Sequence, residues 1–217
     1  MTIASRYREA QSSFVDLARS LSEDQWSAPS PCTPEWTARD LLSHAAGVAI
    51  DIIEGNVDGA ASDPWTAAQV ERWRNSTVDE VIARWDEAVD QTAEALEFIG
   101  EARPVVDCHT HEHDLRTAIG LPGSSDSELI DWIADRFVAV PAGRAIDIEF
   151  ADGTHRRIDG PGDPIGLSGL TAFELFRSRL GRRSPDQVRA YGWSEPIPDD
   201  VLDAWFVFGP AESPIVE

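Results

Sequence analysis

The 217-residue sequence contains no lysine and only two cysteines, so all 18 of its basic residues are arginine. Cys32 and Cys108 are too few for a disulfide framework, and they share no short metal-ligand spacing. We therefore interpret each cysteine as a buried thiol. The absence of lysine accompanies abundant alanine, and it indicates a GC-rich genome rather than a chemical mechanism.

Positive charge and long apolar runs are both scarce. The 18 basic residues are set against 39 acidic ones, giving a formal net charge of −21 at pH 7. Nucleic acids and anionic membranes are bound by basic surfaces, so we expect neither as a partner. No segment approaches the roughly 20 apolar residues that span a bilayer, and residues 1–8 lack the features of a signal peptide. These absences favour a cytoplasmic protein.

The first 120 residues have the hydrophobic pattern of helices, with apolar side chains recurring at spacings of three and four. The predicted helices cover residues 6–21, about 38–53, 66–75, 77–98 and 103–119. Thr37 lies three residues before Asp40, an acidic variant of the capping box, and this places the start of the second helix at about residue 38. Four long amphipathic helices predict an antiparallel bundle.

The pattern changes in the second half of the chain. It predicts a linking helix at 129–138, a hairpin at 144–158 that turns at Asp152 and Gly153, and a helix at 170–180. The predicted fold is therefore mainly α. Its domains are a four-helix bundle at 1–122 and a small α+β domain at 123–217.

Four of the five histidines fall in two helices of the predicted bundle, and three of them lie within residues 107–113. Two pairs have the i, i+4 spacing that lets side chains converge on one ion: Asp107 with His111, and His109 with His113. The row of the first pair continues to Leu115, Ala118 and Ile119, whereas the second pair shares its face with Arg116 and Gly120. The helix phase thus predicts that the first pair faces the bundle interior and the second pair faces solvent.

His44 lies in an apolar row of the second helix, so it too is predicted to face inward. Buried polar groups need partners, and one divalent cation would satisfy His44, Asp107 and His111 together. Two imidazoles and one carboxylate leave coordination positions open, as in catalytic sites, and zinc is the first expectation. The alternative is that His44 bonds a backbone carbonyl while His109, His111 and His113 form a solvated polar cluster.

Two motifs are similar to the mycothiol-dependent maleylpyruvate isomerase family, a branch of the DinB-like metalloenzymes. They are TPEWTARDLLSH at 33–44 and HEHDLRTAIG at 111–120. In that family the first motif ends on a metal-binding histidine. The second supplies a histidine preceded four residues earlier by a carboxylate or another histidine. The resemblance therefore implies a divalent metal on His44, Asp107 and His111, although Asp107 is shorter than the usual glutamate.

The resemblance continues into the second half, at LSG (167–169), FELF (173–176) and GRRS (181–184). These segments are similar to the small C-terminal domain of the family, whose Gly-Arg element lies near the active site. The resemblance implies mycothiol as the thiol co-substrate and a small electrophilic substrate. Arg182, or next Arg183, could then anchor a substrate carboxylate. The alternative is that both arginines form a solvated helix end.

The sequence thus favours a metal-dependent, thiol-dependent isomerase or S-transferase. The second hypothesis is a non-catalytic ligand-binding or regulatory module that retains the metal-binding bundle. An open coordination position favours the enzyme, and a blocked one favours the module.

Limited proteolysis tests the predicted domain boundary. Gly120, Pro122 and Gly123 interrupt the helical pattern, so the first cleavages should fall between about residues 120 and 125. The two fragments should then resist further digestion, as judged by mass spectrometry. Cleavage confined to residues 77–98 would contradict the division.

Overall fold

The structure is a computed structural model that describes residues 1–123 and 127–217. Contacts divide the chain into two compact units. The first unit comprises Met1–Gly123 together with Glu217. The second unit comprises the part of the sequence between Gly123 and Glu217. Part of the predicted boundary at 120–125 lies outside the described residues, so the domain limits remain a prediction.

The first unit is helical, as predicted. Its helices are α1 (Ile3–Ser20), α2 (Ala38–Glu54), α3 (Asp63–Arg72), α4 (Val78–Ile99) and α5 (Arg103–Ala118), with a 3-10 turn at Glu23–Ser27. Helices α1 and α2 each pack against both α4 and α5, which makes a four-helix bundle, and α3 packs on α2.

The capping box predicted at the start of α2 is present. The backbone N–H of Asp40 donates to Thr37 Oγ1, and the Asp40 carboxylate accepts the Thr37 N–H at 2.9 Å. This reciprocal bonding satisfies two N–H groups that lack partners within the helix, so α2 begins at Ala38. The helix ends at Glu54, and the C-cap residue Gly55 has a φ of 73°, which suits glycine.

Two helices begin three residues earlier than predicted. The first helix begins three residues earlier than predicted because the Thr2 side chain caps it by accepting from the N–H of Ser5. The third begins at Asp63 rather than Thr66, with proline in its first turn, where the missing N–H is tolerated.

The bundle core joins α1 to α4 through aromatic side chains. Phe14 meets the edge of Trp85 at 5.4 Å between ring centroids, and Trp85 Nε1 donates to Tyr7 Oη at 3.0 Å. All three side chains are buried. These contacts hold α1 against α4. The predicted metal ligands lie on the other two helices of the bundle, α2 and α5.

The second unit is the predicted α+β domain. Its elements are α6 (Glu128–Val138), β1 (Ile146–Phe150), β2 (His155–Ile158), β3 (Ile165–Leu170), α7 (Ala172–Arg179), α8 (Pro185–Arg189), β4 (Gly192–Trp193) and α9 (Asp199–Trp205). The sheet order is β2-β1-β3-β4, with β1 and β3 parallel and the other neighbours antiparallel. The predicted hairpin corresponds to β1 and β2.

Strand β3 was not predicted, and Leu170, assigned by the sequence to a helix, ends this strand instead. The apolar pattern of β3 is interrupted by Gly166, Ser168 and Gly169. It therefore lacks the regular alternation that is typical of a strand. Over residues 1–123 and 127–217, no helix combines the length and the apolar character needed to cross a membrane.

Candidate metal centre

The structure brings the three predicted ligands together. The two distances that define the cluster are 3.4 Å from His44 Nε2 to Asp107 Oδ2 and 3.5 Å from His111 Nε2 to Asp107 Oδ1. The two imidazole rings are nearly perpendicular, at 87°, with centroids 4.8 Å apart. Both histidines are buried, whereas Asp107 is partly exposed. Helix α2 thus supplies one side chain to a cluster that α5 completes.

The orientation of His44 is fixed by a buried glutamine. His44 Nδ1 lies 2.7 Å from Gln69 Oε1, and Gln69 Nε2 donates to Asp51 Oδ2 at 2.8 Å. Because a carboxylate only accepts, the Gln69 amide nitrogen must point to Asp51 and its oxygen to His44. The His44 proton therefore lies on Nδ1, and the lone pair of Nε2 points toward Asp107.

Asp51, the acceptor at the end of this chain, is held by two further residues. Asn56 Nδ2 donates to Asp51 Oδ1 at 3.1 Å, and Arg72 forms an ion pair with the same carboxylate. Gly47 allows α3 to approach closely enough for this arrangement, since a Cβ built there would lie 2.6 Å from Cβ of Gln69. A larger residue at position 47 would push Gln69 away from His44.

His111 is oriented in the same manner by a carboxylate on its own helix. Its Nδ1 lies 3.0 Å from Asp114 Oδ2, three residues along α5. Asp114 can only accept, so His111 donates from Nδ1, and the neutral ring would direct the Nε2 lone pair toward Asp107. Such a bond from the second ring nitrogen is the usual outer-shell partner of a metal-ligating histidine.

Two nitrogen lone pairs and a carboxylate that face one another require positive charge between them. In the absence of a cation a proton must supply it. Burial alone would lower the pKa of His111, but the charge of Asp107 and the bond to Asp114 outweigh it and raise that pKa to about 9. Burial would raise the pKa of Asp107, but His44 and His111 hold it well below its ordinary value. A divalent cation meets the same requirement with its preferred N and O donors.

Two tryptophans border the cluster. The ring centroid of Trp36, in the loop before α2, lies 4.9 Å from that of His44 and 5.6 Å from that of His111. Trp65 of α3 lies edge to face with His44, at 6.5 Å between ring centroids. These rings give the histidines an apolar border that limits the access of water.

The prediction that His109 and His113 face solvent is wrong. Their side chains are buried, with 5% and 0% of the residue surface exposed. Helix α5 packs against both α1 and α2, so neighbours cover more than one of its faces. Glu112, beside them, accepts from Ser13 Oγ of α1 at 2.9 Å. The proposed solvated histidine cluster is therefore excluded as well.

Of the two cysteines, only Cys108 is buried as the sequence predicted. Cys108 is buried, and burial followed by the charges of Asp107 and Glu112 raises the pKa of its thiol well above the ordinary value. Cys32, in the loop before α2, is half-buried. Neither cysteine belongs to the His44 cluster.

The two arginines after α7 have different surroundings. Arg183 is buried and binds Glu174 through two bonds of 2.6 and 2.9 Å, and Tyr191 Oη donates to the same carboxylate. The interpretation of Arg183 as part of a solvated helix end is therefore wrong. Arg182 is half-buried, and its Nη1 donates to the carbonyl of Leu180 at 2.8 Å. Its predicted contact with substrate remains a prediction.

The fold and the cluster together define a helical-bundle protein with a buried histidine–carboxylate site. The model of the mycothiol maleylpyruvate isomerase N-terminal domain family matches residues 7–121, more than half of the chain. The chain belongs to this family, which confirms the resemblance in its sequence. Family membership makes it an enzyme.

Solved structures and curated proteins give two further comparisons. A crystal structure of the mycothiol-dependent maleylpyruvate isomerase is 13% identical, with a TM-score of 0.56 over 91% of this chain and 94% of that chain. A histidine-to-alanine mutant of the isomerase is 12% identical, with the same TM-score and coverage. At these identities the likeness shows the fold. The search of curated proteins gave no match.

Metal content tests the His44 cluster. His44→Ala removes one of two nitrogen donors, so the purified, untagged protein should lose one equivalent of tightly bound divalent metal. Elemental analysis after dialysis measures this loss. His155→Ala, which removes the exposed histidine of β2, should retain the metal. Equal metal contents in the two variants would contradict the assignment.

Gln69→Leu should weaken metal binding while leaving all three ligands in place. Loss of the bond to Nδ1 frees the His44 ring to change tautomer, and removal of such an outer-shell partner typically lowers metal affinity by about 10- to 100-fold. Competition with a chromophoric chelator measures the affinity. Gln91→Leu, at an exposed position of α4, is the control and should bind as the wild type does. An unchanged affinity for Gln69→Leu would show that Gln69 does not position His44.

Proposed function

We propose that the chain is a mycothiol-dependent isomerase or S-transferase that holds a divalent metal, zinc by preference, on His44, Asp107 and His111. Its substrate would be a small electrophile of the maleylpyruvate type. The observation that supports the proposal most strongly is that the Nε2 atoms of both histidines lie 3.4 and 3.5 Å from the oxygens of one carboxylate, while Gln69 and Asp114 bond their Nδ1 atoms. Family membership supports the thiol, because mycothiol dependence is the property for which the family is named.

The donor set leaves room for a thiol. Three protein ligands are one fewer than the four of a closed structural zinc site, so a water or a substrate sulfur would complete the coordination. When bound, a divalent cation would hold the thiol of mycothiol as thiolate near neutral pH. The partial exposure of Asp107 gives this position a route from solvent.

The protein residues would prepare this site before any ligand binds. Gln69 and Asp114 hold the two imidazoles in the ligating orientation, so little reorganisation would accompany binding. Trp36 and Trp65 would keep water away from the histidine side of the cluster. A thiolate in such surroundings is less hydrated and would attack an electrophilic carbon more readily.

Arg182 would bind a carboxylate of the substrate. Asp107 and Asp114 make α5 acidic around the histidine ligands, so an anionic substrate would need positive charge from elsewhere in the chain. Arg183 is held by Glu174 and thereby has a structural role. The guanidinium of Arg182 could form paired hydrogen bonds with a carboxylate.

Activity profiling tests the proposed function. The zinc-loaded chain should consume or isomerise at least one member of a panel of small electrophiles, maleylpyruvate included, only when mycothiol is present. Asp107→Asn, which keeps the side-chain size but removes the charge, should abolish this turnover. Mycothiol binding without turnover across the panel would favour a non-catalytic ligand-binding module. Turnover without mycothiol would overturn the thiol dependence.

Arg182→Ala tests the role of the C-terminal arginine. A charged hydrogen bond contributes about 1.5 to 3 kcal/mol, which corresponds to a loss of about ten- to a hundredfold in kcat/KM for an acidic substrate. Metal content should not change. Arg189→Ala, which removes an exposed arginine of α8, is the matched control and should keep full activity. Wild-type activity in Arg182→Ala would exclude Arg182 from substrate binding.

A further inference from the structure

A second trio of metal-binding side chains lies on α5. His109, Glu112 and His113 each offer one ligand atom, and these atoms lie within 4.8 Å of one another. At about 100° per residue, His109 is rotated by about 200° from Asp107 around the helix axis. The second trio therefore occupies the opposite side of α5 from the His44 cluster.

The geometry of the second trio matches that of the first. The rings of His109 and His113 have centroids 4.7 Å apart and are inclined at 87°, against 4.8 Å and 87° for His44 and His111. His109 Nδ1 lies 3.1 Å from Glu112 Oε2. The i, i+4 spacing of the histidines lets both rings reach one point beside the helix.

The Glu112 carboxylate is held in one orientation. Its Oε1 accepts from Ser13 Oγ at 2.9 Å and from Arg116 through Nε and Nη2 at 2.9 and 2.7 Å. Three donors on one oxygen leave Oε2 as the oxygen that faces His109. This is the outer-shell arrangement of a ligating carboxylate.

Burial distinguishes the second trio from the first. Glu112 and His113 have no exposed surface and His109 has 5%, whereas the first trio includes the partly exposed Asp107. Taking two imidazoles and a carboxylate out of water is unfavourable unless the groups compensate one another. A cation would compensate all three at once, in surroundings closed to substrate.

We propose that His109, Glu112 and His113 form a second site for a divalent cation of the zinc type, structural rather than catalytic. The cation would stabilise α5, the helix that also carries two ligands of the His44 cluster. Because Arg116 already compensates part of the charge of Glu112, this site should bind more weakly than the His44 cluster. The proposal is independent of mycothiol and of the reaction.

Titration of the metal-free full chain with Zn²⁺ or Co²⁺ tests the second site. Isothermal titration calorimetry should find two equivalents for the wild type, one for His44→Ala, one for His113→Ala and none for the double variant. Glu112→Gln, which preserves the size of the side chain, should likewise lose the weaker equivalent. A single equivalent in the wild type, lost in His44→Ala, would overturn the second site while leaving the proposed function intact.

A spectroscopic measurement keeps the test independent of how the His113 variant folds. In His44→Ala, bound Co²⁺ should shift the imidazole NMR signals of His109 and His113 strongly. The signal of His155, which is exposed on β2, should stay in place. Cobalt that leaves the signals of His109 and His113 unshifted would overturn the proposal.

Discussion

The candidate site depends on one arrangement: two buried imidazoles whose Nδ1 protons are held, so that both Nε2 lone pairs point at the Asp107 carboxylate. Gln69 holds one ring and Asp114 holds the other. Three acceptors facing one another are unstable without a positive charge. For this reason the pKa of His111 is raised to about 9, since a proton on the ring supplies that charge when no cation is bound. Other features serve this arrangement, including the close approach of α3 to α2 at Gly47.

Much of the site could be predicted because helical periodicity is local. The capping box at Thr37 fixes the start of α2 and thereby the phase of His44, and the i, i+4 spacing places Asp107 and His111 on one face of α5. Neither inference needs knowledge of distant contacts. The hairpin at β1 and β2 followed in the same way from its turn residues.

Hydrophobic periodicity could not predict the features that depend on contacts with neighbouring elements. The inward face of α5 was derived from one apolar row, but α5 packs against two helices, and the pattern gave no sign that His109 and His113 would be buried. Gln69 carries no spacing signal, because its partners belong to α2 rather than to α3. Strand β3 is similar: its parallel pairing with β1 stabilises a segment that two glycines make a weak strand by itself.

The central claim is that a divalent metal on His44, Asp107 and His111 binds the sulfur of mycothiol. Anomalous diffraction at the zinc edge, from crystals grown with zinc and mycothiol, tests it most directly. The account predicts a zinc peak bonded to both Nε2 atoms and to Asp107, with the mycothiol sulfur at about 2.3 Å from the metal. A density map without zinc at these three residues, or with the sulfur bound elsewhere, would contradict it.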